Sequence, residues 1–544
     1  MKLYFLLCLF LCSTAVISDE VLLRFGAISD NHFDRTRPAM AERTKMAFEL
    51  FRKHKVDFFV DCGDVADTYQ PDMFRLWRQL YLEVFQDEKT RPDFLMIPAG
   101  HDRIGTSWQQ GYSDFVKYTG SGSVNPVKKI KGFHFVSIAQ NEDSKILKKN
   151  LAEAVAASGP QQTVFVITHY PPRNTTPGSF AASGGDLQYR KILDSCPQAV
   201  VISGHTHSRL MDERSIWQGN FTVVNAGSLA YTDNAGIANP SIRQYSYDAS
   251  IWEVYKNKII IRRFNVSSGN EIFPETPWTI PLPFDQKTAP YTIENRIKNF
   301  PVPEFKKTDQ VVFQNKKMGW NRWGILEFPL PENNKALHRY RLILEKKNST
   351  ENTHYGIIEI IRSSLPEKAE KFAFSAGYLE KGDYHFSLTP ISYFGKSGMS
   401  LQGEFSVKNI PWKEIKKDHK PVILSGKKDK TEVAADSNGF FNIQKDSRLL
   451  IPREIIEKTV EAKKKLIVSM DIECHSPGNP ASLRIINEKG QIVTMSSGCF
   501  RETKQKQRYS FVFRPRKKIQ DYSLLIRRGS PGKYKFSNIR YFLY

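Results

Sequence analysis

Cysteine is scarce in this chain. Six occur in 544 residues, and two of them, Cys8 and Cys12, fall within the first eighteen positions. The other four, Cys62, Cys196, Cys474 and Cys499, are too few for a disulfide scaffold. Cys62 follows a buried apolar run and reads as a free core thiol, while a Cys474–Cys499 bridge stays open. Long hydrophobic runs are just as rare. Residues 3–11 form the only one, which excludes a multispanning membrane protein, since one crossing alone needs about 20 apolar residues. Internal repeats, low-complexity tracts, an Arg-rich arm, zinc-finger spacing and RNP-type aromatics are all missing, so nucleic acid is not an expected partner.

What is present is ordinary globular material: 40% apolar, 25% charged and 12% aromatic residues. At about 150 residues per domain, the length suggests roughly three to four domains. The balance of charge is unusual. The net charge is +22, and residues 401–544 carry 30 Lys+Arg against 15 Asp+Glu, so most of the excess sits in the last quarter of the chain. A Lys-rich solvated surface and a face for an anionic glycan or cell surface both account for it.

Residues 1–18 read as a cleavable export signal. Lys2 is the positive start, Leu3 to Leu11 the apolar stretch, and Val16-Ile17-Ser18 the small-residue site before Asp19. The expected product is exported, secreted or periplasmic, with no transmembrane segment in its mature form.

From residue 19 to about 270 short apolar runs alternate with amphipathic stretches, the pattern of a layered α/β domain. Expected strands are Val21–Ser29, Asp57–Asp61, Phe94–Pro98, Phe133–Ala139, Thr163–Thr168, Ala199–Ser203 and Phe221–Asn225, with helices over Pro38–His54 and Met73–Phe85. Residues 271–305 hold too many prolines for regular elements and read as a linker or strap. Strand-like alternation returns over 306–415 and again over 420–544. Tyr384-His385-Phe386-Ser387-Leu388-Thr389-Pro390 and Tyr393-Phe394-Gly395 resemble the late strands of a fibronectin type III-like sandwich. The basic last region suggests a second β-sandwich, of jelly-roll kind. Trp320, Trp323 and Trp412 suit either core packing or stacking on sugars.

Five segments, each just after an expected strand, carry oxygen and imidazole donors: Asp30-Asn31-His32, Gly63-Asp64, Gly100-His101-Asp102, Thr168-His169 and Gly204-His205-Thr206-His207. Strand ends are rigid and aim side chains at one point, and open α/β sheets place their ligands there. A carboxylate and imidazole mixture without thiolate suits divalent Mn, Fe, Co, Ni or Zn. Each segment alone reads as an ordinary turn; the weight lies in the five together.

In that order and spacing they resemble the calcineurin-like metallophosphoesterase family, over residues of about 22–265. The resemblance implies an α/β fold of metallophosphoesterase type, a β-sandwich layered with helices, followed here by two C-terminal β-sandwich domains. It implies two divalent metal ions, with Asp30, His32 and His207 on the first, His169 and His205 on the second, and Asp64 between them. His101 becomes the catalytic acid and Asp67 the carboxylate that orients it. Arg103 and Arg173 are candidates to bind the substrate phosphate, and Asn225 is structural. The short Asp30–His32 spacing and the missing Tyr ligand argue against purple acid phosphatases. His101-Asp102-Arg103 and His169-Tyr170-Pro171-Pro172 look closer to the cyclic-nucleotide and glycerophosphodiester phosphodiesterase branch.

One position departs from the family pattern: Gly100 stands where an Asn amide is usual. The second metal site is therefore expected to be weak unless a neighbour such as Asn31 substitutes. The resulting expectation is an exported phosphoesterase, acting on phosphate diesters before monoesters. The alternative is a degenerate phosphoesterase domain serving as a secreted polyanion- or glycan-binding protein.

Overall fold

The computed structural model describes residues 20–177, 186–232, 247–318 and 322–347. Beyond them it describes 354–361, 371–375, 379, 381–408, 410, 413–416, 421–425, 431–443, 447–475, 482–499, 503–519, 521–527 and 532–544. The expected export signal, Trp320, Trp412 and the side chains of Trp323, Cys474 and Cys499 lie outside the described residues. No helix among the described residues is long and apolar enough to cross a membrane.

In chain order the first region runs β1 (Leu23–Ile28), α1 (Ala39–Lys53), β2 (Phe58–Asp61), α2 (Pro71–Val84), β3 (Asp93–Met96), α3 (Trp108–Thr119), β4 (Val127–Ile130), β5 (Phe133–Ile138) and α4 (Ser144–Ser158). It continues with β6 (Val164–Thr168), α5 (Leu187–Leu193), β7 (Ala199–Ser203), β8 (Ile216–Gln218), β9 (Thr222–Asn225), β10 (Asp248–Val254) and β11 (Lys258–Asn265). Then come β12 (Asn270–Ile272), β13 (Trp278–Pro281) and α6 (Ile293–Asn299).

Two sheets face each other. One has the order β12-β11-β10-β1-β2-β3, with β13 paired to β11; the other is β4-β5-β6-β7-β9-β8. β1, β2 and β3 are parallel, as are β5, β6, β7 and β9. Between the sheets Phe25, Phe58, Phe135, Phe165 and Trp252 interlock, with Phe135 stacked on Phe165 at 4.7 Å. The opposite faces are covered by helices. Trp77, Leu80, Tyr81 and Val84 recur along one side of α2 and bury against β2 and β3, while Leu147, Leu151 and Ala154 of α4 cover the second sheet. Strands buried on both faces must read as unbroken apolar runs, as Val164-Phe165-Val166-Ile167 does. That is why these strands are legible in the sequence.

α3 and α4 were not expected. Both begin at a side-chain cap, where Ser107 accepts from the Gln110 amide and Asp143 from the Lys145 amide; such caps look like loop residues in a sequence. The Pro-rich stretch also departs from expectation, because it does hold regular elements. β13 pairs with β11, and α6 starts at the Thr292 cap. Its prolines fall at ends and between elements, where no ladder hydrogen bond is lost.

Further on, a three-stranded and a four-stranded sheet enclose Tyr340, Leu342, Leu344, Tyr384 and Leu388. Gly382–Ser392 pairs antiparallel with Leu401–Val407. In the last region a five-stranded and a six-stranded sheet share a core of Leu466, Val468, Leu483, Ile485, Phe511 and Leu524. This region also holds an unexpected helix, Arg453–Glu461, which buries Ile455 and Ile456. The second region is tied to the first: the Tyr393 hydroxyl donates to the Met211 carbonyl at 3.1 Å, and Lys396 Nζ to the carbonyls of Lys298 and Phe300.

Candidate metal centre

All the donor segments emerge from the C-terminal ends of parallel strands, and the two sheets bring those ends together. Backbone bonds continue the ladders past the strands. The Asp30 amide donates to the Gly63 carbonyl, that of His32 to Asp64, and that of Gly204 to His169. The sheets are then laced across the gap: the His205 amide donates to Asp30 Oδ2 at 2.9 Å, and His169 Nδ1 to the Cys62 carbonyl at 2.9 Å. Close approach at this seam requires Gly204. A Cβ there would stand 1.9 Å from Ser29 Oγ and 2.7 Å from Asp30 Oδ2.

Three clusters of donor atoms result, each within 4.8 Å: Asp30, His32 and His207; His32, Asp64 and His101; Asp64, His169 and His205. His207 Nε2 lies 2.9 Å from Asp30 Oδ1, and His32 Nε2 lies 3.2 Å from His207 Nε2. His169 Nε2 is 3.1 Å from Asp64 Oδ2, which is 3.9 Å from His32 Nε2. The four imidazoles and two carboxylates singled out in the sequence therefore converge, with Asp64 between the two halves.

The far nitrogens of the rings are fixed. His207 Nδ1 donates to the Tyr231 carbonyl at 2.9 Å, His169 Nδ1 to Cys62, and His32 Nδ1 to Asp67 Oδ1 at 3.1 Å. Each bond sets the tautomer that leaves Nε2 as the inward donor, the arrangement of metal-ligating histidines.

Five of these six residues have left-handed backbones: Asp30 at φ 55°, His32 at 47°, Asp64 at 55°, His205 at 66° and His207 at 48°. For a non-glycine residue that costs ~1–2 kcal/mol. Strain of this kind concentrates at functional sites, where the surrounding structure enforces it. Here the interstrand hydrogen bonds do so.

Burial and charge oppose each other in the pocket. Burial would raise the Asp30 carboxyl, yet the charge of His207 and contacts from His207 and His32 hold it well below the usual range. Burial likewise disfavours charge on His32 and His169, but Asp30, Asp67 and Asp64 push the first up to about 10, and Asp64 above all raises the second to about 9. Burial, with His169 beside it, takes His205 down to about 3. Without a cation the carboxylates thus keep two imidazoles protonated.

Asp30 Oδ1 and His169 Nε2 are buried, and the polar atoms beside them belong to the clusters themselves: His207 Nε2 at 2.9 Å and Asp64 Oδ2 at 3.1 Å. Their lone pairs face a shared centre, and the donor set holds nitrogen and oxygen only, so the residues fit divalent cations of the Mn to Zn series. His32, Asp30 and His207 would hold one, and Asp64, His169 and His205 a second.

Three neighbours make contacts of their own. Asp67 meets His101 twice: its backbone carbonyl accepts from His101 Nδ1 at 2.7 Å, and its Oδ1 lies 3.8 Å from the same nitrogen, while the carboxylate also pairs with His32 and Arg37. The Asn31 amide is engaged away from the cluster, donating to buried Asp61 at 2.8 Å and accepting from Thr44 at 2.9 Å. Arg103 is stacked on Trp108, 4.2 Å from the ring. Asn225 donates to Thr206 Oγ1 and accepts from the Gly227 amide, bracing the loop that carries His205 and His207.

Some contributors had little sequence signal. Asp102 is buried and accepts from the amides of Ala66 and Ala99, clamping the Asp64 loop to the His101 loop. Tyr231 packs 4.2 Å from His207 and Tyr170 4.1 Å from His205, one ring against each half of the site. Tyr170 at least follows a ligand directly; Tyr231 is 24 positions from the histidine it supports, and only the fold joins them.

Residues 23–209 match the family model described as calcineurin-like phosphoesterase. No curated protein matches the chain. Among solved structures, a dimetal phosphatase from Danio rerio shares 12% identity at a TM-score of 0.35, over 48% of this chain and 99% of that one. GAP50, the anchor in the inner membrane complex of Plasmodium, shares 17% at 0.33, over 49% of this chain and 90% of its own. Purple acid phosphatase PPD1 from yellow lupin, Lupinus luteus, shares 11% at 0.34, over 48% and 53%.

Proposed function

We propose that this calcineurin-like phosphoesterase segment makes the protein an exported metal-dependent hydrolase of phosphate esters, preferring diesters to monoesters. The observation that carries the reading is the pair of buried donor clusters meeting at Asp64, with imidazole and carboxylate atoms turned toward one another on both sides. Export rests on Lys2 and the apolar residues 3–11. The diester preference rests on the His101-Asp102-Arg103 and His169-Tyr170-Pro171-Pro172 segments.

When bound, a pair of divalent cations neutralises charge on the phosphate and acidifies water for attack on phosphorus. The chain's own groups do the rest. Asp30, Asp64 and the inward Nε2 atoms fix where that charge sits, and the left-handed loops hold them there before substrate arrives. His101 stands at the rim, its side chain 38% exposed, and its Nδ1 is tied to the Asp67 carbonyl. In the imidazolium form the ring would carry its second proton on Nε2 and could pass it to the departing alkoxide, leaving the neutral Nδ1–H tautomer behind. Tyr231, 41% exposed, borders the same opening.

Purified protein supplied with Mn²⁺ or Co²⁺ should hydrolyse bis(p-nitrophenyl) phosphate faster than p-nitrophenyl phosphate. Asp64→Ala should lower that rate by about 10³-fold or more, matching several kcal/mol of lost charge stabilisation. Folded, metal-replete protein that cleaves neither ester would overturn the reading.

A further inference from the structure

The two halves of the site are not equally furnished. Around Asp64, His169 and His205, the loop bearing His101 contributes Gly100, which has no side chain to offer. Gly100 has φ −63° and ψ −40°, a conformation open to any residue, so its backbone does not demand glycine. What fills the space is Gln140. A Cβ on Gly100 would meet Gln140 Oε1 at 2.9 Å, Nε2 at 3.2 Å and Cδ at 3.4 Å.

That carboxamide is bracketed by the second cluster. On one side Gly100 adjoins His101, whose amide donates to Asp64 Oδ1 at 2.9 Å. On the other stands Tyr170, whose phenol feels the Gln140 carboxamide and whose ring centre lies 4.1 Å from that of His205. Of the two ends of the carboxamide, Oε1 stands nearer the open face of Gly100. The position is also held rigidly. The Tyr112 hydroxyl donates to the Gln140 carbonyl, and the Ala139 amide donates to Asn125 Oδ1 at 2.8 Å. Asn31, the other nearby amide, is committed to Asp61 and Thr44.

We infer that Gln140, two residues beyond β5, supplies the carboxamide oxygen that completes the second cation site beside Asp64, His169 and His205, in the space left by Gly100. A neutral oxygen donor added to two imidazoles and a shared carboxylate suits an intermediate divalent ion. This inference rests on the metal-site reading above but is tested by counting ions, not by hydrolysis.

The test is Mn²⁺ titration of the full chain, with bound metal counted by mass spectrometry. Wild type should take up two ions. Gln140→Ala should keep one and bind the second at least ~10-fold more weakly, the lower end of what losing even an outer-sphere partner costs. The double variant Gly100→Asn with Gln140→Ala should regain it, since the vacated space then admits an amide from the other loop. If Gln140→Ala does not fold, Gln140→Glu decides, because an oxygen in the same place should retain the second ion. Two ions held by Gln140→Ala at wild-type affinity, a second ion lost from Gln140→Glu, or fewer than two in wild type would each overturn the inference. Two bound ions without ester hydrolysis would instead overturn the phosphoesterase reading and leave this one standing.

Discussion

The strands of the first region and those beyond residue 312 follow different burial rules. Val164–Thr168 and Ala199–Ser203 are buried at every position, whereas Leu337–Lys346 alternates, with Tyr340, Leu342 and Leu344 inside and Arg339, Arg341 and Ile343 half-buried between them. Parallel strands covered by helices on one face and a second sheet on the other have no solvent side, so polar groups gather only at their ends. Antiparallel strands with one wet face can place polar groups anywhere along their length and need not focus them. Backbone strain divides the same way. Beyond residue 312 the described non-glycine residues with left-handed backbones are Asn333 and Lys463, far apart in sequence, while five such residues converge at the metal centre. A chemical site forms where buried rigidity and strain coincide, and in this protein that is the first region.

The comparison can be broken by showing that the strand ends do not carry the chemistry. The largest effect is expected from His101→Asn, which removes the rim imidazole but none of the six residues assigned to the two cation sites. It should lower kcat by ~10²–10⁴-fold and leave metal content unchanged; a variant with normal kcat would remove His101 from the mechanism. A smaller effect is expected from Asp67→Asn, which weakens the partner of His32 while preserving the backbone carbonyl behind His101. Metal affinity should drop by ~10–100-fold, and an unchanged affinity would show that the carboxylate merely decorates the loop.

The smallest effect concerns protons. His32 at about 10 and His169 at about 9 are charged at pH 7.5 in the metal-free site, while His205 at about 3 is already neutral. Cations can bind only as the first two lose their protons, so affinity should climb with pH until about pH 9–10 and decline as pH falls. Calorimetry in buffers of different ionisation enthalpy should register release of about two protons at pH 7.5. Release of none would show that the histidines do not ligate.

Much of the site was legible because its ligands sit directly after apolar runs, where a His or Asp stands out. Asp30, Asp64 and His207 could be picked out that way. The further contacts of Asp67 and Asn31 were not, since they depend on partners distant in sequence: His32 pairs with one carboxylate, and buried Asp61 with one amide. Helices α3 and α4 were missed for a local reason, their caps being indistinguishable from loop residues.

By itself the sequence determined the donor types, their order and their attachment to strand ends, because burial on both faces leaves an apolar run that polar residues visibly terminate. Only the tertiary structure decided which far nitrogen each imidazole anchors, how the backbone is twisted beneath the ligands, and that Gln140 stands in front of Gly100. Those features arise from contacts between segments distant along the chain, such as Gly204 against Ser29 and Asp30, and no local pattern records which neighbour the folded sheets will supply.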